Sequence, residues 1–200
     1  MMDLQSGDLL LCHGVGWVSS FLQYIGQSKY SHVGIILKNP KFLCETLEDG
    51  LYVWDSSYGT APEDENHTIR FGVQIHKLDY FMSLYPKESL YVRKIDYPRN
   101  DDFHTKLINI HKEVHGKPYN THIMDWISAK LNMVYPFSIL SIWKYTDRFW
   151  CSALVTYIYV QLGWISDANW GLIAPREFSS KESTGQLLFT CIVHDEELLH

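Results

Sequence analysis

Two residues of this chain could do nucleophilic chemistry together, Cys151 and His32. Cys151 stands in Phe149-Trp150-Cys151-Ser152-Ala153-Leu154-Val155, at the start of an apolar stretch that reads as a helix ending at Gly163. The first turn of a helix carries unpaired backbone N–H groups and the positive end of the macrodipole. Both favour a thiolate, and both can stabilise an oxyanion forming beside the sulfur. Such a nucleophile needs a base. Ser31-His32-Val33-Gly34-Ile35-Ile36 offers one on a predicted strand.

A third polar group would fix the histidine tautomer. Asp55 is the first choice, because Leu51, Val53 and Asp55 share one face of a strand by period-two alternation. Its bland reading is turn initiation, since Ser56-Ser57-Tyr58-Gly59 follows. Glu45, on a neighbouring predicted strand, is the alternative. Tyr119, in Gly116-Lys117-Pro118-Tyr119-Asn120, either packs a loop after a helix stop or donates its phenol to a substrate or oxyanion. His104, His111 and His115 fall on one face of a predicted helix. His111 and His115, at i and i+4, could bind a metal. No HExxH-type general base accompanies them, so a solvated helix face is expected and no metal is assigned.

Elements must bring these residues together. Leu9–Cys12, Ser31–Leu37, Phe42–Thr46, Leu51–Ser56, Phe71–Leu78 and Ser89–Ile95 read as strands. Glu48-Asp49-Gly50 reads as a hairpin turn between two of them, and 59–67 as a polar surface loop. Trp17–Ile25 has helical spacing. Asp101-Asp102 can cap a helix running to about His115, and Gly116-Lys117-Pro118 stops it. Thr121–Met133 reads as a further helix, Tyr135–Tyr145 is aromatic without clear period, and Leu187–Val193 reads as a last strand. Strands dominate the first half and helices the second, which predicts one α+β domain over residues 1–200.

Composition agrees with a globular chain: 46% of the 200 residues are hydrophobic and 20% charged. Net charge is −6 and no basic cluster exists, so nucleic acid is not an expected partner. Cys12, Cys44, Cys151 and Cys191 show no CxxC pairing, hence no zinc or disulfide framework. No signal peptide is visible, and no run approaches the ~18 apolar residues of a membrane span. A cytoplasmic, reducing setting is expected. The aromatic stretch 135–143 could line an acyl-chain groove or a membrane-facing edge, or pack the core.

These motifs, taken in order, resemble the NlpC/P60 superfamily of papain-like enzymes in its circularly permuted branch, which includes YiiX/YebB-like and poxviral proteins. Usual members run from a G-x-P-Y segment through a nucleophile helix to an H-V-G-I strand. Here Ser31-His32-Val33-Gly34-Ile35 comes first, and Gly116-Lys117-Pro118-Tyr119 and Cys151-Ser152-Ala153-Leu154-Val155 follow. Gly7-Asp8-Leu9-Leu10, Trp54-Asp55-Ser56-Ser57, Gly72-Val73-Gln74-Ile75, Leu78-Asp79-Tyr80-Phe81 and Ile173-Ala174-Pro175 extend the likeness over most of the chain. The resemblance implies a permuted papain-like fold, an antiparallel sheet or half-barrel packed against helices that include the nucleophile helix. It implies Cys151 as nucleophile, His32 as general base and then acid, Asp55 as orienting acid, and Tyr119 and Ser152 as substrate-binding residues. It requires no cofactor. The implied function is a thiol hydrolase or acyltransferase on an ester or amide, with a lipid or N-acyl bond favoured. The alternatives are a peptide-type amidase and a non-catalytic binding module. Three departures stand out. Ala153 replaces a common glutamate, Asp55 replaces a glutamate, and Glu63–His67 looks like an insertion.

Overall fold

A computed structural model describes residues 2–14, 28–120 and 146–199. The helices expected over 17–25 and 121–133 and the aromatic stretch 135–145 lie outside the described residues. Among the described residues, eight strands and three helices succeed one another: β1 (Leu9–Cys12), β2 (His32–Lys38), β3 (Leu51–Tyr58), β4 (Phe71–Lys77), α1 (Leu78–Leu84), β5 (Leu90–Arg93), β6 (Ile95–Asp96), α2 (Asp101–Val114), α3 (Cys151–Leu162), β7 (Ile192–Val193) and β8 (Glu197–Leu198). Six strands form one antiparallel sheet in the order β4-β3-β2-β1-β5-β8, and β6 pairs with β7. The architecture is a mixed α+β one, with an antiparallel sheet packed against three helices.

Alternation along the strands decides what covers each face. Leu9, Leu11, Val33, Ile35, Leu37, Tyr52 and Trp54 join one core with Phe103, Leu107, Ile110 and Val114 of α2 and Leu154, Val155 and Ile158 of α3. Leu10, Cys12, Ile36 and Val53 point the other way, into a smaller core with Leu4 and with Leu78 and Phe81 of α1. With both faces covered, the central strands read as continuous apolar runs. Each fully buried Leu or Ile side chain contributes about 1.5–3 kcal/mol.

Several expectations are corrected. Phe42–Thr46 is not a strand. Asn39 adopts the left-handed conformation, Pro40 opens a short 3-10 turn to Phe42, and β2 pairs directly with β3. Proline's fixed φ and missing N–H favour that turn over a ladder. Gly50 therefore closes the base of an excursion rather than a hairpin tip: its N–H donates to Asn39 Oδ1 at 2.8 Å, and Asn39 N–H donates back to its carbonyl at 2.8 Å. Glu45 is left exposed on this turn. The cap of α2 is Asn100, whose Oδ1 accepts from Phe103 N–H at 3.1 Å, and Asp101 and Asp102 occupy the first turn. Residues 187–193 give only the two-residue β7. Leu78, expected to close a strand, instead opens α1.

Candidate active site

Helix α3 starts at Cys151 and ends where Gly163 turns left-handed at φ 76°. All but two of its residues are buried, which explains an apolar character on every side. Trp150 stands at the N-cap and supplies no side-chain hydrogen bond. The first intrahelical bond of this turn runs from Leu154 N–H to the Trp150 carbonyl. The helix thus presents Cys151 among N–H groups that the helix itself cannot satisfy.

His32 is the first residue of β2, paired in register with Cys12 of β1. Its Nε2 lies 2.8 Å from Asp55 Oδ2 on β3. Asp55 is fully buried, and its side chain reaches this position past Gly34. A Cβ on Gly34 would come within 2.7 Å of Val53 Cγ1 and 3.4 Å of Asp55 Cβ. The His32 ring also stacks on Phe81 of α1, with centroids 6.1 Å apart. Cys151 lies close enough to His32 for its charge to act on the imidazole. With Nε2 engaged by Asp55, Nδ1 is the nitrogen that remains for the sulfur. Burial alone would lower the His32 pKa, but the adjacent Cys151 and the Asp55 bond override it and raise it to about 10. Asp55 Oδ1 is buried without a hydrogen-bond partner among the described residues.

A short extra ladder fastens the approach to Cys151. Val73 N–H donates to the Lys117 carbonyl at 2.8 Å and Tyr119 N–H to the Phe71 carbonyl at 3.0 Å. Phe149 N–H then donates to the Pro118 carbonyl at 3.1 Å, and Ser56 Oγ donates to the Phe149 carbonyl at 2.7 Å. The main chain comes this close only because position 72 is glycine: a Cβ there would lie 2.1 Å from Lys117 O. The ladder seats Tyr119 beside the pair. Burial, and then the charges of Cys151 and Asp55, push its phenol well above the ordinary range, so it stays a neutral donor.

The sequence-predicted residues Cys151, His32, Asp55 and Tyr119 therefore meet at one end of the sheet. Glu45 does not, being exposed on its turn. Ser152 is buried and its hydroxyl donates to the Ile173 carbonyl at 2.6 Å, a bond that ties α3 to the segment beyond it and uses the group expected to meet substrate.

Sequence reading missed four neighbours. Cys12 and Tyr85 stand beside each other and within electrostatic reach of Asp55 and Cys151, and burial raises both well above their usual values. Gln74 faces Asp55 across the β3–β4 register and donates to Ser57 Oγ at 2.8 Å. His76 Nε2 lies 3.2 Å from Gln74 Oε1, and burial lowers its pKa against the opposing charges of Asp55, Asp64 and Glu63. The available signal was period-two alternation in β4, which puts Gly72, Gln74 and His76 on one face although nothing polar is needed there for solubility.

The expected solvated histidine face is also corrected. His111 is buried, with its ring edge on Trp54 at 5.7 Å, and bonds Glu65 of the 59–70 loop. That loop is only partly a surface loop. Glu63 is fully buried, where its carboxylate accepts from Arg70 and from Ile75 N–H.

No family model matches the chain, and no curated protein matches it either. Among solved structures, the chain is similar in fold to the metalloprotein yiiX from Escherichia coli O157:H7. The two are 18% identical over 98% of each chain, with a TM-score of 0.53. This establishes a YiiX-like fold relationship. No helix among the described residues is long and apolar enough to cross a membrane.

Proposed function

We propose that this chain is a cysteine-dependent hydrolase or acyltransferase of the circularly permuted papain-like, NlpC/P60 type. One observation carries the reading: a single imidazole, His32, sits 2.8 Å from the buried Asp55 and within electrostatic reach of Cys151 at a helix start. In the reaction, Cys151 gives its proton to His32 Nδ1 and its sulfur attacks the carbonyl carbon of an ester or amide. The oxyanion is met by the N–H groups of the first turn of α3 and by the neutral phenol of Tyr119. Such a donor is worth about 3 kcal/mol in the transition state. The bond to the leaving alcohol or amine breaks as His32 returns the proton to it. Water or an acceptor nucleophile then attacks the thioester, again giving its proton to His32, and the thiol is regenerated.

The favoured substrate carries an apolar acyl chain. Tyr119 stacks on Phe71 at 4.9 Å, and Phe71 meets Tyr58 edge-on at 5.3 Å. Tyr58, Ile69 and Phe71 are 71%, 65% and 45% exposed, an apolar strip leading outward from the site. The yiiX neighbour is a metalloprotein. Among the described residues of this chain, the group able to hold a metal ion is Glu65, His111 and His115, with His111 against Trp54. Trp54 and Asp55 are consecutive on β3 and point to opposite faces, so no step of the thiol chemistry runs through that group.

The test is iodoacetamide and fluorophosphonate-lipid labelling from pH 5 to 9, with peptide mapping, on wild type, C151A and H32A. Selective labelling of Cys151 at or below neutral pH, weakened in H32A, is expected. Labelling of Cys151 no faster than Cys44 and Cys191, and only at alkaline pH, would overturn the enzyme reading in favour of a binding module.

A further inference from the structure

The loop between β3 and β4 and the last turn of α2 bring three metal-ligating side chains to one point. Glu65 Oε2 lies 2.8 Å from His111 Nε2 and 3.1 Å from His115 Nδ1. The three ligand atoms all fall within 4.8 Å of one another. The two imidazoles sit one helical turn apart, with centroids 4.8 Å from each other. None of the three side chains is more than 17% exposed. A hydrogen-bonded network accounts for only half of this. His111 makes a normal bond to Glu65. His115 Nδ1 is buried and makes no hydrogen bond among the described residues, although the same carboxylate oxygen is in range. Two nitrogens aimed at one oxygen, one of them unsatisfied, is the arrangement left when the common partner of all three is a cation.

The surroundings suit that role. A metal-bound imidazole usually offers its second nitrogen to a carboxylate or another polar partner. The other nitrogen of His115, Nε2, faces the carboxylate oxygen Glu63 Oε1 at 3.6 Å. Glu63 is itself fully buried and held by Arg70 and the Ile75 N–H. From the other excursion the Thr46 hydroxyl donates to the Glu65 carbonyl at 2.6 Å, with Cys44 Sγ 3.1 Å from that hydroxyl. The donor set is two imidazole nitrogens and one carboxylate oxygen. Imidazole selects zinc-class transition metals over calcium or magnesium, which prefer oxygen ligands.

We propose that Glu65, His111 and His115 bind one divalent transition-metal ion of the zinc class, which pins the β3–β4 loop to the end of α2. The ion is structural. It holds the 59–70 loop, whose residues Glu63 and Asp64 also bond β4, against the helix. None of its ligands belongs to the triad, so the ion and the thiol chemistry stand or fall separately.

The test is calorimetric titration of the chelator-stripped full chain with Zn2+ alone, with thermal melts at each end point. One equivalent is expected to bind and to raise the melting temperature. Glu65→Gln and His115→Gln are each expected to weaken binding by about tenfold or more and to abolish that rise. Should either variant fail to fold, nitrogen-detected histidine NMR on the wild type replaces it. Zn2+ is then expected to move His111 Nε2 and His115 Nδ1 and to leave His32 and His76 in place. Absence of binding, equal affinity in all three proteins, or perturbation of other imidazoles instead would overturn the proposal and leave a hydrogen-bonded His–Glu–His cluster.

Discussion

His32 and His111 make the same local contact. Each places Nε2 2.8 Å from a carboxylate oxygen, and both carboxylates are largely withdrawn from water. What differs is the group on the far side. His32 opens a strand and meets a sulfur presented by a bare helix start, so its second nitrogen has a proton to take. His111 lies inside a helix one turn before His115, so its carboxylate is shared with a second imidazole. A histidine–carboxylate pair is therefore not a chemical assignment. The third partner makes one pair a candidate base and the other a candidate ligand set.

The comparison breaks first at the sulfur. C151A should lower kcat/KM by about 10⁴-fold or more on any ester or amide the wild type turns over, while its melting temperature stays close to wild type. A variant that kept most of the activity would remove the distinction between the two pairs. The acids should separate next. D55N is expected to cost about 10³–10⁴-fold in turnover by favouring the wrong tautomer of His32. Glu65→Gln should leave turnover and Cys151 alkylation unchanged. Equal losses in the two variants would show that the sites are coupled through the sheet.

The ladder that seats Tyr119 can be tested by G72A. A Cβ at 2.1 Å from Lys117 O forces the 117–120 segment away from β4, with an expected loss of about 2–3 kcal/mol in urea unfolding. A change under about 0.5 kcal/mol would mean that the segment yields without strain.

The remaining prediction concerns the pH dependence of stability. The folded-state pKa of His32 is raised from 6.5 to about 10 by Cys151 and Asp55 against the opposing effect of burial. A raised base stabilises the fold fully below its unfolded value and loses that contribution as pH climbs through the folded one. Between about pH 6.5 and 10, the wild type should therefore lose more stability than H32Q. Parallel melting curves across that window would show that no charged His32 is held in the fold.

The elements that carry Cys151, His32 and Asp55 were legible because their signals are local. An apolar run opened by a cysteine and closed by Gly163 has few solutions besides a buried helix, and α3 spans Cys151–Leu162 as expected. Alternation placed Asp55 with Leu51 and Val53, and Val53 packs with Leu10 and Cys12 on that face. Other signals misled. Phe42–Thr46 has strand composition, but Asn39 and Pro40 bend the chain before any ladder can form. The 59–70 loop has surface composition, yet Glu63 is buried, because Arg70 and a backbone N–H satisfy it at no cost visible in local sequence.

The sequence by itself determined the candidate groups and the elements that carry them: a thiol at a helix start, an imidazole on a strand, an acid on one face of the next. Those depend on periodicity and termini, which are short-range. Only the tertiary structure decided which groups meet. It set His32 against Asp55 and left Glu45 exposed, brought Tyr85 and Cys12 near Asp55 and Cys151, turned the Ser152 hydroxyl to Ile173, and buried His111 against Trp54 with Glu65. The reason is that these contacts join residues far apart in the chain, and they are set by the antiparallel register and by which side of the sheet each helix covers.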